Sequence, residues 1–410
     1  MRVRRKVVIV SYAGPAESTP RGRRIRAVAR ELERTLSVEL ITGPRGWATA
    51  PHVSRGNGLS RRLRRLVARL WLAVFVDRHE LWSQMTFWRW RTDADVALLM
   101  GAPFSPIVAA ARKLRAVGVP YIVDVGDPWV LTGAEETSSR RPIGLAMWRA
   151  RRAEARLWAG AMGAVVTSRR VGDAIGDRFP NLRVLVRPNG YEVVKNGPIA
   201  YERNARDRTA IRLVYYGTLY GPRVSVGGFL RALLDSELWK QVSFTQYGDV
   251  WDDALDDLDA AALSGVEVVR RPAVPWERAI HEASHFDAAM VIANLSGLGP
   301  PSKVFQYMTL PLPRIVLTVD CERDETARFV RGLTGWLVVS SSDAELPARI
   351  SAHVGRDWTA SELQPPASES WPRVAQDISN FVLTVAAPIH RAKSAREQAA
   401  TIRLRNSEGR

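Results

Sequence analysis

Residues 299–306, Gly-Pro-Pro-Ser-Lys-Val-Phe-Gln, follow the apolar run Ala288-Ala-Met-Val-Ile-Ala293. The run reads as a buried parallel strand, and the octet as a loop that opens a helix at Ser302 and Lys303. The first N–H groups of a helix lack intrahelical partners and stand at the positive end of its dipole, so anions collect there. Pro301 and Ser302 suit the first turn or the cap, and Lys303 adds a mobile cation. A nucleoside diphosphate is the natural guest of such a device. An ordinary loop with a solvated lysine is the plainer reading of the octet alone.

Other clusters carry less chemistry. Asp252-Asp-Ala-Leu-Asp-Asp-Leu-Asp259 could be taken for a metal-binding or prenyl-diphosphate motif, but Leu255 and Leu258 continue a helical pattern in which the carboxylates form a solvated face. His281 and His285 stand four apart without the glutamate and third ligand of a zinc protease, so a solvated helical pair is expected. No Ser-His-Asp motif context is visible. Arg61-Arg-Leu-Arg-Arg-Leu-Val-Ala-Arg-Leu-Trp-Leu72 alternates arginine with apolar residues at helical spacing. It suits either an anionic membrane interface or a packed helix with one basic face.

The elements that must position these residues follow from length and patterning. A chain of 410 residues exceeds one core, which predicts two domains. Cys321 is the single cysteine, so no intrachain disulfide forms, a cysteine-based metal site is disfavoured, and a reducing, cytoplasmic setting is expected. Val7 to Val10 is too short for a secretory signal, and Leu70–Val76 too short to cross a bilayer. The expectation is a cytoplasmic protein, soluble or peripheral at the inner membrane face. Of the net charge of +17, residues 1–75 hold a large share, with 17 Lys/Arg against 4 Glu. That density attracts an anionic partner, although an arginine-rich proteome would produce the same bias.

Strands are predicted at 7–10, 38–41, 95–100, 121–125, 164–167 and 184–186, with helices through 25–32, 107–114 and 148–158. Residues 191–210 read as a linker. A second series of strands follows at 212–216, 242–246, 266–269, 288–293 and 315–318, then an amphipathic helix over 377–385. Strands alternating with helices predict an α/β fold with two Rossmann-like, doubly wound domains. Such tandem domains face each other across a ligand cleft at the carboxyl ends of their strands. The expected divisions are an N-terminal domain over 1–195, a C-terminal domain over 196–375, a helix over 376–392 returning to the first domain, and a mobile tail over 393–410.

Taken in order, several segments resemble the retaining, nucleotide-sugar-dependent glycosyltransferases of the GT-B fold, specifically the large fourth family. They are Asp95-Val-Ala-Leu-Leu with Gly101-Ala-Pro-Phe-Ser105, Val119 through Trp129, Glu154 through Ser168, Pro188-Asn-Gly190, Leu213-Val-Tyr-Tyr-Gly217 with Arg223, and Gly299-x-Pro-Ser-Lys-x-x-Gln306-Tyr-Met308. The resemblance covers most of residues 5–385. The chain departs from the family where its loop carries two glutamates seven residues apart; the matching positions are Leu298 and Gln306. Gln306 can still accept a hydrogen bond from a ribose, at a loss of roughly 1 kcal/mol. Leucine cannot contact the transferred sugar as a glutamate does, and Asn294 or Ser296 are the candidates to replace it. Pro311 stands where the family has a glycine turn, and cannot adopt its positive φ.

The resemblance implies an acceptor-binding first domain and a nucleotide-sugar-binding second domain. It makes Gly217, Arg223, Gly299, Pro301, Ser302, Lys303 and Gln306 the donor-binding set. Lys303 and Arg223 would stabilise the departing diphosphate in place of a metal, so no metal or other cofactor is expected. Asp127, or alternatively Asp124, would orient or deprotonate the acceptor hydroxyl; Asp127 before Pro128 is equally a turn former. Ser18, Thr19 and Gly22 lie in the loop that approaches donor and acceptor in that family, and in the plainer reading only make a turn. The implied activity is transfer of a hexose-type sugar from a nucleoside diphosphate sugar to a hydroxyl acceptor: polysaccharide, glycolipid, lipid-linked or secondary metabolite. A non-catalytic relative that binds nucleotide sugar, and a nucleotide-sugar 2-epimerase, are the alternatives. No nucleic-acid-binding module is visible.

Overall fold

The computed structural model describes residues 5–17, 19–43, 79–101, 103–126, 145–193, 209–219, 224–293, 299–340 and 342–387. By internal contacts the chain divides into two compact units, Met1–Pro188 with Pro372–Arg410, and Asn189–Trp371.

The first unit is built on β1 (Lys6–Ser11), β2 (Ser37–Thr42), β3 (Val96–Gly101), β4 (Tyr121–Val125), β5 (Gly163–Val166) and β6 (Arg183–Val186). They form one sheet in the order β2-β1-β3-β4-β5-β6, each pair parallel. β3 and β4 are buried along their whole length, which is why they read as unbroken apolar runs rather than alternating ones. The helix Pro20–Leu32 starts on Thr19, whose hydroxyl accepts the Gly22 N–H at 3.1 Å, and buries Ile25, Val28 and Leu32. Residues 372–387 complete this unit: Asp377 pairs with Arg187 at 3.0 Å, and Phe381 lies against Gly163.

The second unit carries β7 (Ala210–Tyr216), β8 (Gln241–Tyr247), β9 (Glu267–Arg271), β10 (Ala288–Ile292), β11 (Arg314–Thr318) and β12 (Trp336–Ser340). Their order is β12-β11-β10-β7-β8-β9, again parallel. The chain lays β8 and β9 on one side of β7, then returns to place β10 on the other. The order therefore reverses between β7 and β10, the position in an open α/β sheet where a crevice forms at the strand ends. β12 was not among the expected strands. It is a half-buried edge strand.

The aspartate run lies on the helix Asp252–Leu263, with Leu258 buried and Asp252, Asp253, Asp256 and Asp259 exposed. Asp257 accepts from Ser225 Oγ at 2.7 Å and from the Gly227 N–H at 2.8 Å, joining this helix to the start of Val226–Leu234. His281 and His285 are both exposed, as a solvated pair, but the α-helix ends at Glu282 and residues 283–285 form a 3-10 turn. The basic segment 61–72 and the tail beyond 387 lie outside the described residues.

Candidate functional site

β7 and β10 pair only at Ala288 with Leu213 and Ala289 with Val214. Beyond that point β10 stays with β11, where the Ala293 N–H donates to Leu317 O at 2.9 Å. The strands thus part at the order reversal, and a side chain fills the gap in the ladder. The Tyr307 hydroxyl accepts the Tyr216 N–H at 2.5 Å and lies 3.2 Å from Tyr216 O, to which it donates. Tyr307 belongs to the helix Ser302–Tyr307 and is fully buried; burial pushes its phenol well above the usual range. One hydroxyl therefore ties the octet's helix to the end of β7.

Lys303, one turn before Tyr307 and on the same face of that helix, reaches the same strand end. Its Nζ donates to Thr218 O at 3.0 Å and to the Tyr215 hydroxyl, which itself donates to Thr218 O at 3.0 Å. The ammonium lies 4.2 Å from the Tyr215 ring centroid. Gly217 makes this approach possible. Its φ is +123°, and a Cβ there would fall 2.5 Å from Lys303 Cε. Gly248, after β8, repeats the conformation at φ +124° and packs on Gly217, where a Cβ would meet Gly217 C and O at 2.9 Å. Gln246, fully buried, holds the Gly217 carbonyl through its Nε2 at 2.9 Å.

The helix entry is simpler than expected. Pro301 takes the cap position with extended backbone and no side-chain cap, Ser302 is the first helical residue, and both are half-buried. Gln306 is half-buried in the last turn, its carbonyl accepting from Thr309 Oγ1 at 2.8 Å. The far end of the helix is held by Arg314, the first residue of β11. Its buried guanidinium donates to Tyr307 O at 3.0 Å, Met308 O at 3.0 Å, Leu363 O at 2.8 Å, and Leu310 O. Burial pushes its pKa down to about 9, while the helix's carbonyl end favours the charge.

Beside the crevice, Tyr216 stacks on Tyr247 at 5.0 Å and meets Trp276 edge-on at 5.8 Å; Trp276 lies parallel to Tyr307 at 6.0 Å. The Tyr247 hydroxyl donates to Glu282, which also accepts from Arg278 at 2.6 Å. These bonds hold Glu282 below the usual carboxylate range, and burial together with Glu282 pushes Tyr247 up to about 12.

The second unit thus brings Gly217, Pro301, Ser302, Lys303 and Gln306 onto one loop-and-helix assembly at the strand ends, with Gly299 in the loop that leads into it. Arg223, Leu298, Asn294 and Ser296 lie outside the described residues, as do Ser18 and Asp127. In the first unit, Thr19 caps a helix, and Gly22 is demanded by close packing, since a Cβ would fall 2.4 Å from Glu17 O. Asp124 is buried in β4 with both oxygens engaged by Arg24, at 2.9 Å from Nε and 3.0 Å from Nη2. Arg24 also donates to the carbonyls of Arg187 and Pro188 at 3.0 Å each. Its observed work is to lock the helix Pro20–Leu32 to the segment after β6. Arg24 and Arg314 were not singled out in the sequence, and Tyr307 stood in the loop-and-helix motif without a role. Only Arg314 left a signal there, as a charge heading the apolar strand Ile315–Thr318.

No protein-family model and no curated protein matches the chain. Solved structures do. A glycosyltransferase from Rickettsia africae superposes with a TM-score of 0.55 at 8% identity, covering 93% of this chain and 98% of that one. The Anabaena protein HepE in complex with UDP gives 0.51 at 12% identity, covering 95% and 100%. The likeness is one of fold: two six-stranded parallel sheets with flanking helices, the two-domain α/β architecture of GT-B glycosyltransferases.

Proposed function

We propose that the chain is a nucleotide-sugar-dependent glycosyltransferase, moving a hexose-type sugar from a nucleoside diphosphate to a hydroxyl acceptor with retention and without a metal. The observation that carries this reading is Lys303, set against Gly217 where the second sheet parts between β7 and β10. HepE, which shares the fold, holds UDP.

Glycosyl transfer develops positive charge on the sugar and negative charge on the departing diphosphate. Cations beside the leaving group answer the second charge. At 4 Å and an effective dielectric of 20, one such contact is worth up to ~4 kcal/mol before desolvation. Lys303 supplies one cation and Arg223 the second. Gly217 and the loop Gly299–Ser302 bring backbone close to the phosphates, Gln306 accepts from the ribose, and Asp127 receives the acceptor's proton. Nucleotide-sugar binding without transfer is the second reading, favoured by Leu298 where a sugar-contacting glutamate is expected.

Thermal unfolding with UDP, GDP and dTDP sugars, followed by transfer of labelled sugar to hydroxyl acceptors, tests both. A ligand at 100 times its dissociation constant adds about 2.7 kcal/mol of stability. Lys303→Ala is expected to lower turnover by at least ~100-fold; near-normal turnover removes the assignment. Stabilisation by a nucleotide sugar with no transfer supports the binding reading, and no stabilisation by any of them overturns both.

A further inference from the structure

Three helices of the first unit, Glu80–Trp88, Phe104–Ala116 and Leu145–Ala159, line a groove of about 310 Å³. Its charged groups are Arg112, Arg115, Arg149, Arg152 and Arg156, against one carboxylate, Glu80. Arg149 pairs with Glu80, and Arg115 donates to the Arg156 carbonyl at 3.0 Å. Arg152 lies 5.4 Å from the Trp148 ring centroid. Five arginines therefore line a groove whose single carboxylate is already paired.

The rim of the groove is apolar and exposed. On the helix Glu80–Trp88, about 100° of rotation per residue places Glu80 and Gln84 on the groove side, and Trp88, Leu81 and Met85 on the next stripe outward. Trp88 is 80% exposed, Met85 75% and Trp148 58%, with Leu81 and Leu145 also in solvent. A soluble anion would account for the arginines, but not for two tryptophans and a methionine turned to water beside them. A bilayer surface accounts for both. Phosphate headgroups answer the guanidinium groups, while indole rings and short apolar side chains settle at the headgroup boundary.

We propose that this face docks on an anionic lipid bilayer, with headgroup phosphates in the arginine groove and the stripe Leu81, Met85 and Trp88, with Leu145 and Trp148, seated at the interface. The inference concerns the first unit alone and does not depend on the sugar-transfer reading.

The experiment is co-flotation of the 410-residue chain with vesicles of phosphatidylcholine alone or mixed with phosphatidylglycerol, with bromine-labelled acyl chains to quench interfacial tryptophan. The expected result is flotation only with the anionic vesicles. Each of Arg112→Gln, Arg152→Gln and Arg156→Gln should weaken it about fivefold, and Trp88→Phe with Trp148→Phe should remove most of the quenching. These side chains are exposed, so melting temperatures should hold; if another variant fails to fold, Arg152→Gln alone decides. Equal flotation with both vesicle types, or an Arg152→Gln variant that floats like the parent, overturns the proposal. Flotation abolished by soluble glycerol phosphate with no quenching would reassign the groove to a small anion, and also overturns it.

Discussion

A β-carbon on Gly217 would fall 2.5 Å from Cε of Lys303, so the lysine can lie against the end of β7 only because position 217 has no side chain. The colliding atom is the far end of a flexible side chain. Gly217→Ala should therefore displace the lysine before it disturbs the helix. The φ of +123° adds strain of about 1–3 kcal/mol. On the proposed function, loss of nucleotide affinity in Gly217→Ala should largely overlap that of Lys303→Ala. A double-mutant cycle by calorimetry checks this, and full additivity would mean the lysine had not moved.

Tyr307 stands where β10 would otherwise continue the ladder on β7. Tyr307→Phe keeps the ring and its stacking on Trp276 but leaves the Tyr216 N–H buried without its acceptor. The expected cost is about 1–3 kcal/mol, with faster hydrogen exchange concentrated at Tyr216. Urea unfolding and amide exchange measure the two effects. Unchanged exchange at Tyr216 would show the hydroxyl to be dispensable.

Asp124 and Arg24 form a buried pair in which each lacks another charged partner among the described residues. Asp124→Ala strands a guanidinium in the core, at a cost of about 3–5 kcal/mol. The double replacement Arg24→Met with Asp124→Leu should recover most of it, because the apolar pair leaves no uncompensated charge. Chemical denaturation of the single and double variants decides. A double variant as unstable as the single would point to work beyond charge balance.

His353 should make the second unit acid-sensitive. Burial, with Arg314 and Arg356 nearby, pushes its imidazole down to about 4. Unfolded, it protonates near 6.5, so the unfolded chain takes up a proton first as pH falls. Stability is complete above that range and declines as pH drops from about 6.5 towards 4, by at most ~3 kcal/mol. Glu282 and Glu362 are held low and lose their contribution only at more acid pH, so the upper part of the window belongs to the histidine. Urea melts between pH 7 and 5 should slope for the parent chain and flatten for His353→Gln (about 1.4 kcal/mol per pH unit at most).

Much of the architecture was legible because parallel strands buried on both faces must be nearly continuous in apolar residues. Ala288–Ile292, Tyr121–Val125 and Lys6–Ser11 announce themselves in that way. β12 was passed over although its run Trp336-Leu-Val-Val339 is as apolar as theirs. Lys303 and its loop could be picked out because Gly, Pro, Ser and Lys occur together for reasons of local backbone chemistry. Thr19, read as a loop or turn residue, proved to be the cap of Pro20–Leu32.

The amino-acid order by itself determined which segments become strands and helices, and which short stretch is the candidate site, since propensity, capping and burial pattern act over a few residues. Which of those segments become neighbours was decided only in three dimensions. Lys303 meets Tyr215 across 88 positions, Arg24 meets Asp124 across 100, and Tyr307 meets Tyr216 across 91. No local pattern encodes these partnerships. They exist because the order of the sheets brings distant strand ends together, where a buried charge or amide must find whatever partner lies within reach.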